Sequence, residues 1–363
     1  MNHSARTCLV AIVGGVFSVP APLWADTGQA RFYTSLESHS YSDIAPIDQV
    51  IHGLEGPPVD DGEFAFTHNQ LEIGETWLQF GLSYFWRYDY FLEFNGDTAR
   101  LAHSEQNNVP LPTTGRYNIF LRANELRSQG VGFSYQWQLA PNLHSRLRLN
   151  YLRADDMSDG ELNGVLIAEE LGFSGDLQLD YGYSEDQLLG REIEDVDGSG
   201  YSVDLDIRWR WGDQLEFALE GRDIWSRLRW KDLTYTRASA TTDVISYDAD
   251  GALASIPGIA GTEGYRSQSQ QLPARYNLSA RYQFNSKLSI SPSVYAYDQH
   301  LFPRLALGWQ LGNCLLQTSY DLETGALGLN ISHDNFSIGL HSDDSDWQQA
   351  RALGLQLGMG FRF

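Results

Sequence analysis

Basic residues are scarce in this chain of 363: 25 Lys and Arg stand against 47 Asp and Glu, a formal net charge of −22. Neutralising a phosphate backbone needs the opposite balance, so nucleic acid is excluded as a partner. Cysteine is scarcer still, at two residues. Cys8 lies in an N-terminal apolar run and Cys314 stands alone in the remainder, which excludes an internal disulfide framework. Past residue 25 no apolar run approaches the ~20 residues of a membrane-spanning helix. Zinc, phosphate-loop and dinucleotide motifs are missing as well.

What the chain has in quantity points to strands. It is 42% hydrophobic and 13% aromatic, with 34 glycines and only 3 methionines; aromatic plus glycine enrichment favours strands and turns over helices. The first 25 residues differ from the rest. Arg6, an apolar run from Cys8 to Val19, then prolines and Ala25 have the layout of a secretory signal peptide. Residues 1–25 are therefore expected to be an export signal, and 26–363 a single domain.

Within that domain strict alternation recurs. In "YSVDLDIRWRW" Tyr201, Val203, Leu205, Ile207, Trp209 and Trp211 share one face, while Ser202, Asp204, Asp206, Arg208 and Arg210 share the other, because successive side chains of a strand point to opposite sides. "DLQLDYGYS", "RYNLSARYQF", "RLALGWQL" and the final "LGLQLGMGFRF" repeat the pattern. These runs of about 9–13 residues exceed the ~5–6 usual in soluble sheets and suit a tilted strand crossing a bilayer. Short turns at Gly74-Glu75, Ala140-Pro141-Asn142, Gly212-Asp213, Asn285-Ser286, Gly312-Asn313 and His333-Asp334-Asn335 alternate with longer connections. The longer ones lie near 39–62, 93–118, 155–160, 187–198, 231–271 and 343–349. Short turns at one rim and long loops at the other predict an all-β fold, a closed antiparallel transmembrane β-barrel of about 16 strands, with 14 to 18 compatible. Trp77, Trp137, Trp211 and Trp309 lie near short turns, and Trp86, Trp225 and Trp230 near the starts of long loops. Indole rings favour the membrane–water boundary, so these two sets predict two girdles.

In this architecture, though not in any local family motif, the chain resembles the outer-membrane β-barrel proteins of Gram-negative bacteria. The resemblance implies a bacterial outer-membrane location, with lipid and lipopolysaccharide as surroundings. It also implies a last strand read by the barrel-assembly machinery, with Phe363 as the assembly signal.

Alternation sends Arg146, Arg148, Arg208, Arg210, Arg222, Arg275, Arg281 and Arg304 into the lumen. Asp204, Asp206, Glu216 and Glu220 follow, together with Asp176 and Asp180. Such charges hydrate or cross-brace a barrel; facing rows of opposite sign can also order water and screen solutes. Asp195, Asp197 and Ser199, followed by Gly200, match the opening of a calcium loop. The twelfth position is Asp206 rather than Glu, and a solvated Gly/Asp-rich hairpin fits the same residues. No other cofactor is expected. His39 between Ser38 and Ser40, and His300, come nearest to a nucleophile–base pair. Adjacency in sequence is not the spatial arrangement that catalysis requires, so no enzyme is expected.

The expected function is a porin-like channel for diffusion or export of small polar solutes through a charged lumen. The alternative is a structural or secretion barrel that sheathes or exports a periplasmic or secreted partner, polysaccharide or protein; the lengths of 39–62 and 231–271 favour it. A lipid-acting enzyme is the third reading. A constriction, where one exists, is expected from 93–118 or 231–271, whose "GALASIPGIAG" is apolar and glycine-rich.

Overall fold

Each alternating run quoted above is a strand, paired antiparallel with its neighbours. The structure, a computed structural model, describes residues 30–110, 114–169, 172–185, 196–241, 245–247, 253–255 and 258–362. The signal-peptide reading, Asp195 and Phe363 lie outside them, as do Gly251, Ala252, Ile256 and Pro257 of "GALASIPGIAG".

The first eight strands are β1 (Arg31–Ser42), β2 (Phe64–Trp77), β3 (Phe80–Phe94), β4 (Gly115–Ala140), β5 (Leu143–Glu169), β6 (Gly172–Tyr183), β7 (Gly198–Trp211) and β8 (Leu215–Thr241). Two three-residue strands, β9 (Ile245–Tyr247) and β10 (Leu253–Ser255), pair only with each other. Then come β11 (Gly258–Gln270), β12 (Arg275–Gln283), β13 (Leu288–Tyr297), β14 (His300–Leu311), β15 (Cys314–Asp321), β16 (Leu327–Ser332), β17 (Phe336–Ser342) and β18 (Ala352–Arg362). Helices α1 (Ile47–Ile51) and α2 (Gly96–Gln106) lie in the first two long connections.

The sheet closes where β18 meets β1, in register from Arg31↔Arg362 to Tyr41↔Ala352. Sixteen strands share this sheet. Two pairs of them run end to end: β6 then β7 between β5 and β8, and β11 then β12 beside β8. Fourteen places therefore go round the wall, with two extra strands.

The extra length is extramembrane. β4, β5 and β8 have 26, 27 and 27 residues, about 85–90 Å of strand, whereas a crossing needs only ~9–11 residues. Their far halves, with β6 and β11, form a five-stranded flap above the barrel. Four expectations are corrected here. The loop placed at 155–160 lies inside β5, and much of 231–271 is strand. "DLQLDYGYS" is β6, a flap strand and not a membrane strand. Gly74-Glu75 lies inside β2; the chain reverses after Trp77, where Leu78 takes φ 53°.

Outward side chains form an apolar band. Leu71, Leu82, Phe133, Leu149, Leu278, Leu307, Leu329 and Met359 are all exposed. A continuous exposed belt of this kind is a lipid-facing surface, so these strands form a membrane-spanning β-barrel. Trp77, Trp86, Trp211, Trp225 and Trp309 are exposed on it, and half-exposed Trp137 stacks on Tyr135 at 6.0 Å. Trp230 is the exception: it is 0% exposed. Positions 225 and 230 of one strand differ by an odd number, and the register between them is unbroken, so Trp225 faces lipid and Trp230 faces inward.

The described parts of the first two long connections pack outside the wall. Ala65, Leu92, Phe94 and Leu121 near the strand tops are covered by Ile44, Leu54 and Ala99, the last from α2. The described residues of the 93–118 connection thus form no constriction.

Candidate functional site: a septum of side chains across the lumen

Inward positions at mid-height are buried almost all round the barrel: Gln356, Asn330, Gln317, Asn277, Ser145 and His68 are each at most 8% exposed. In an open pore these side chains would be wet. Here residues from non-adjacent strands meet across the interior.

The first part of this septum is polar. Arg87 of β3 donates to both oxygens of Asp223 of β8, at 2.9 and 2.7 Å, and is paired with Asp89 on its own strand. Arg275 of β12 reaches the same Asp223 at 3.0 Å. His68 of β2 lies 2.7 Å from Asp89. A chain of charge therefore crosses the lumen from β2 to β12. Asp223 enters it because β8 is bulged: Val203 pairs with Trp225 and Leu205 with Gly221, which leaves Asp204 facing three residues. Asp223 adopts φ 52°, and its freed amide donates to Asp204 at 2.9 Å. That bond satisfies the Asp223 amide, which the bulge takes out of the ladder with β7.

The second part is aromatic. Phe64, Phe66 and Phe91 of β2 and β3 pack against Tyr295, Tyr297 and Phe302 of β13 and β14. Phe66 stacks on Tyr297 at 4.2 Å. Both histidines singled out in the sequence belong here: His39 sits 4.9 Å from Phe66, and His300 stacks on Phe64. The third part is apolar and mostly aliphatic: Leu126, Leu152, Met157 and Leu228, with Phe85 and Trp230, close around Leu272 at the β11–β12 junction. That junction bends inward. Gln270 donates to the Glu125 carbonyl at 2.9 Å and accepts from Trp230 Nε1 at 3.1 Å, while Asn124 of β4 donates to the Gln271 carbonyl at 3.1 Å. Of the two connections expected to constrict the barrel, the end of 231–271 is the one that enters it.

Alternation placed the other lumen charges on the inner face, and they neutralise one another. Arg146 and Arg222 share Asp206 at 2.8 and 2.7 Å. Arg148 binds Glu72 at 2.9 Å, where Tyr33 also donates at 2.6 Å, and Asn150 holds Asp204 at 2.9 Å. Arg304 pairs with Asp321 at 3.1 Å. Arg208 and Arg210 lie low, by the turn after β7, both beside Glu216; Arg281 is in register with that glutamate, and Glu220 with Asp206. Asp180 is not in the barrel; it pairs with Arg237 and Arg266 in the flap, where Asp176 also lies, in register with Thr241. In the calcium motif, Asp197 is held by Arg153 at 2.6 Å and Ser199 is part of the β7 ladder. Among the described residues no cluster of three metal-ligating side chains occurs.

Sequence reasoning missed Arg87, Asp89, Asp223 and Glu72. The strands that carry the first three were legible, but the bulge that aims Asp223 inward was not, since Gly221 at its edge sits inside an otherwise regular strand pattern. One further group stands out on the β13–β18 side. Ser291 Oγ, Tyr295 OH, Ser319 Oγ, Asn330 Nδ2 and Gln356 Oε1 are buried with no hydrogen-bond partner among the described residues.

No family model matches the chain, and no curated protein matches its sequence. Among solved structures, the toluene transporter TodX of P. putida is 10% identical, with 93% of this chain and 90% of that one aligned at a TM-score of 0.42. A Pseudomonas aeruginosa FadL homologue is 13% identical over 94% and 90%, TM-score 0.36. The β domain of the Bordetella autotransporter BrkA is 11% identical over 93% and 99%, TM-score 0.29. Likeness at this level carries no argument about function, and the barrel stands on its own strand pairing.

Proposed function

We propose that this protein is a gated outer-membrane channel for small uncharged aromatic or amphipathic molecules. The observation that carries this reading is the aromatic tier that joins β2 and β3 to β13 and β14. A hydrated ion or sugar passing between packed rings must shed water with nothing to replace it. An aromatic solute exchanges one ring contact for another. Tyr295 OH and His39 Nδ1, both in or against the tier and both without a partner among the described residues, offer hydrogen bonds to a solute with one or two neutral polar groups. This selectivity differs from passage of polar solutes through an open charged lumen, because the lumen charges are already paired with one another.

Two measurements test it together. Wild-type barrels in planar bilayers should be nearly silent, and Phe66→Ala with Tyr297→Ala should give stable conductance steps. Cells making the wild-type barrel should take up a labelled phenol-like compound several-fold faster than cells without it, with no change for a disaccharide. Large steps from the wild-type protein, or disaccharide entry, would overturn the reading.

A further inference from the structure

The outer surface of β8 just above the upper girdle reads Trp225, Arg227, Arg229, Lys231 at successive outward positions, all exposed. Three consecutive outward cations are unexpected on a chain whose net charge is −22. Strand register fixes their height. Arg227 is level with Tyr201 and Tyr151, which form the girdle with rings 5.5 Å apart. Arg229 is level with Ser199 and Arg153, one outward step higher. From Trp211 at the lower girdle to Tyr201 is about 25 Å along the barrel axis for a tilted strand, the height of the hydrocarbon band. The cations therefore sit in the headgroup layer of the outer leaflet.

Their counterions are few. Arg153 is occupied by Asp197 at 2.6 Å, and Arg127 of the neighbouring β4 lies 3.7 Å from Asp156. Among the described residues Arg227 donates to Ser269 alone, at 3.2 Å. Arg229 and Lys231 have no carboxylate within ion-pair distance among the described residues; Asp232, next in sequence, is exposed. Guanidinium groups with free donors, held on a rigid strand beside aromatic rings, match phosphate esters carried by a lipid.

We propose that Arg227, Arg229 and Lys231 form a binding site for the phosphate groups of the phosphorylated glycolipid of the outer leaflet. The inference rests on the outer face and is independent of what passes through the lumen.

The test is binding of the full-length barrel in detergent micelles to bisphosphorylated lipid A, with dephosphorylated lipid A and phosphatidylglycerol as separate arms. Changing all three cations to Gln should weaken binding of the bisphosphorylated form tenfold or more, and Arg229→Gln alone about threefold. Arg237→Gln, in the flap, should leave it unchanged. Folding of each variant is checked by its heat-modifiable migration, and the single substitution keeps the test open if the triple variant fails to assemble. Unchanged binding by a folded variant would overturn the site. So would equal wild-type binding of dephosphorylated lipid A, or of phosphatidylglycerol.

Discussion

Asp223 shows how one side chain can close a barrel. It is 1% exposed, accepts from Arg87 and Arg275, and sits on a bulge whose amide is held by Asp204. Asp223→Ala would leave two buried guanidinium groups facing each other with Asp89 as the remaining acid, and loss of one partner from a buried ion pair costs about 3–5 kcal/mol. The unfolding midpoint of the variant in urea should fall accordingly, and Arg87→Ala should fall less, because Arg275 still neutralises Asp223. Residues such as these were half legible. Alternation alone placed Arg146, Arg148, Arg208 and Arg222 on the inner face, because a strand's period is fixed by its backbone. Their partners were not legible, since Glu72 and Arg148 are 76 residues apart and nothing local records which walls touch. The same limit explains Leu78, a turn residue at φ 53° where sequence rules look for glycine, as found at Gly212 and Gly312 with φ 64° and 63°.

Strand existence was readable and strand extent was not. β5 and β8 continue past the membrane through "RADDMSDGE" and "KDLTYTR", polar stretches whose composition suits a loop. They stay strand because the flap pairs on both sides: β8 lies between β6 and β11. Within the flap Asp180 of β6 joins Arg237 of β8 to Arg266 of β11, at 2.9 and 2.6 Å. Partial burial raises its carboxyl, and the two arginines more than reverse this, leaving it below the ordinary carboxylate range. A depressed folded-state pKa gives stability that is fully present above the unfolded value, about 3.9, and is lost as pH falls through the lower folded value. Protection factors of β6 amides, measured against the intrinsic exchange rate at each pH, should therefore fall on acidification below about pH 4. Asp180→Asn should show the lowered protection already at neutral pH and lose this contribution to the acid dependence.

At the scale of the whole molecule, inside and outside exchange their usual chemistry. Ion pairs and amides fill the centre, while Leu, Phe and Trp cover the surface. Closure of the sheet makes this stable, since every wall strand finds a partner and no edge meets lipid. Lipid then acts as the solvent against which each outward residue is judged, and the penalty for a charge there depends on depth. β14 gives a ruler: Trp309 marks the lower boundary, Leu305 lies near the middle and Leu301 near the top, all three exposed to the outside. Leu305→Arg should destabilise the folded barrel by about 2–4 kcal/mol, and Leu301→Arg, whose guanidinium reaches the headgroups, by about 0–1. Equilibrium unfolding in lipid vesicles measures both. A soluble barrel would tolerate arginine equally at the two exposed positions, so equal small penalties would remove the protein from the membrane, and a steep difference fixes where the bilayer lies along every strand.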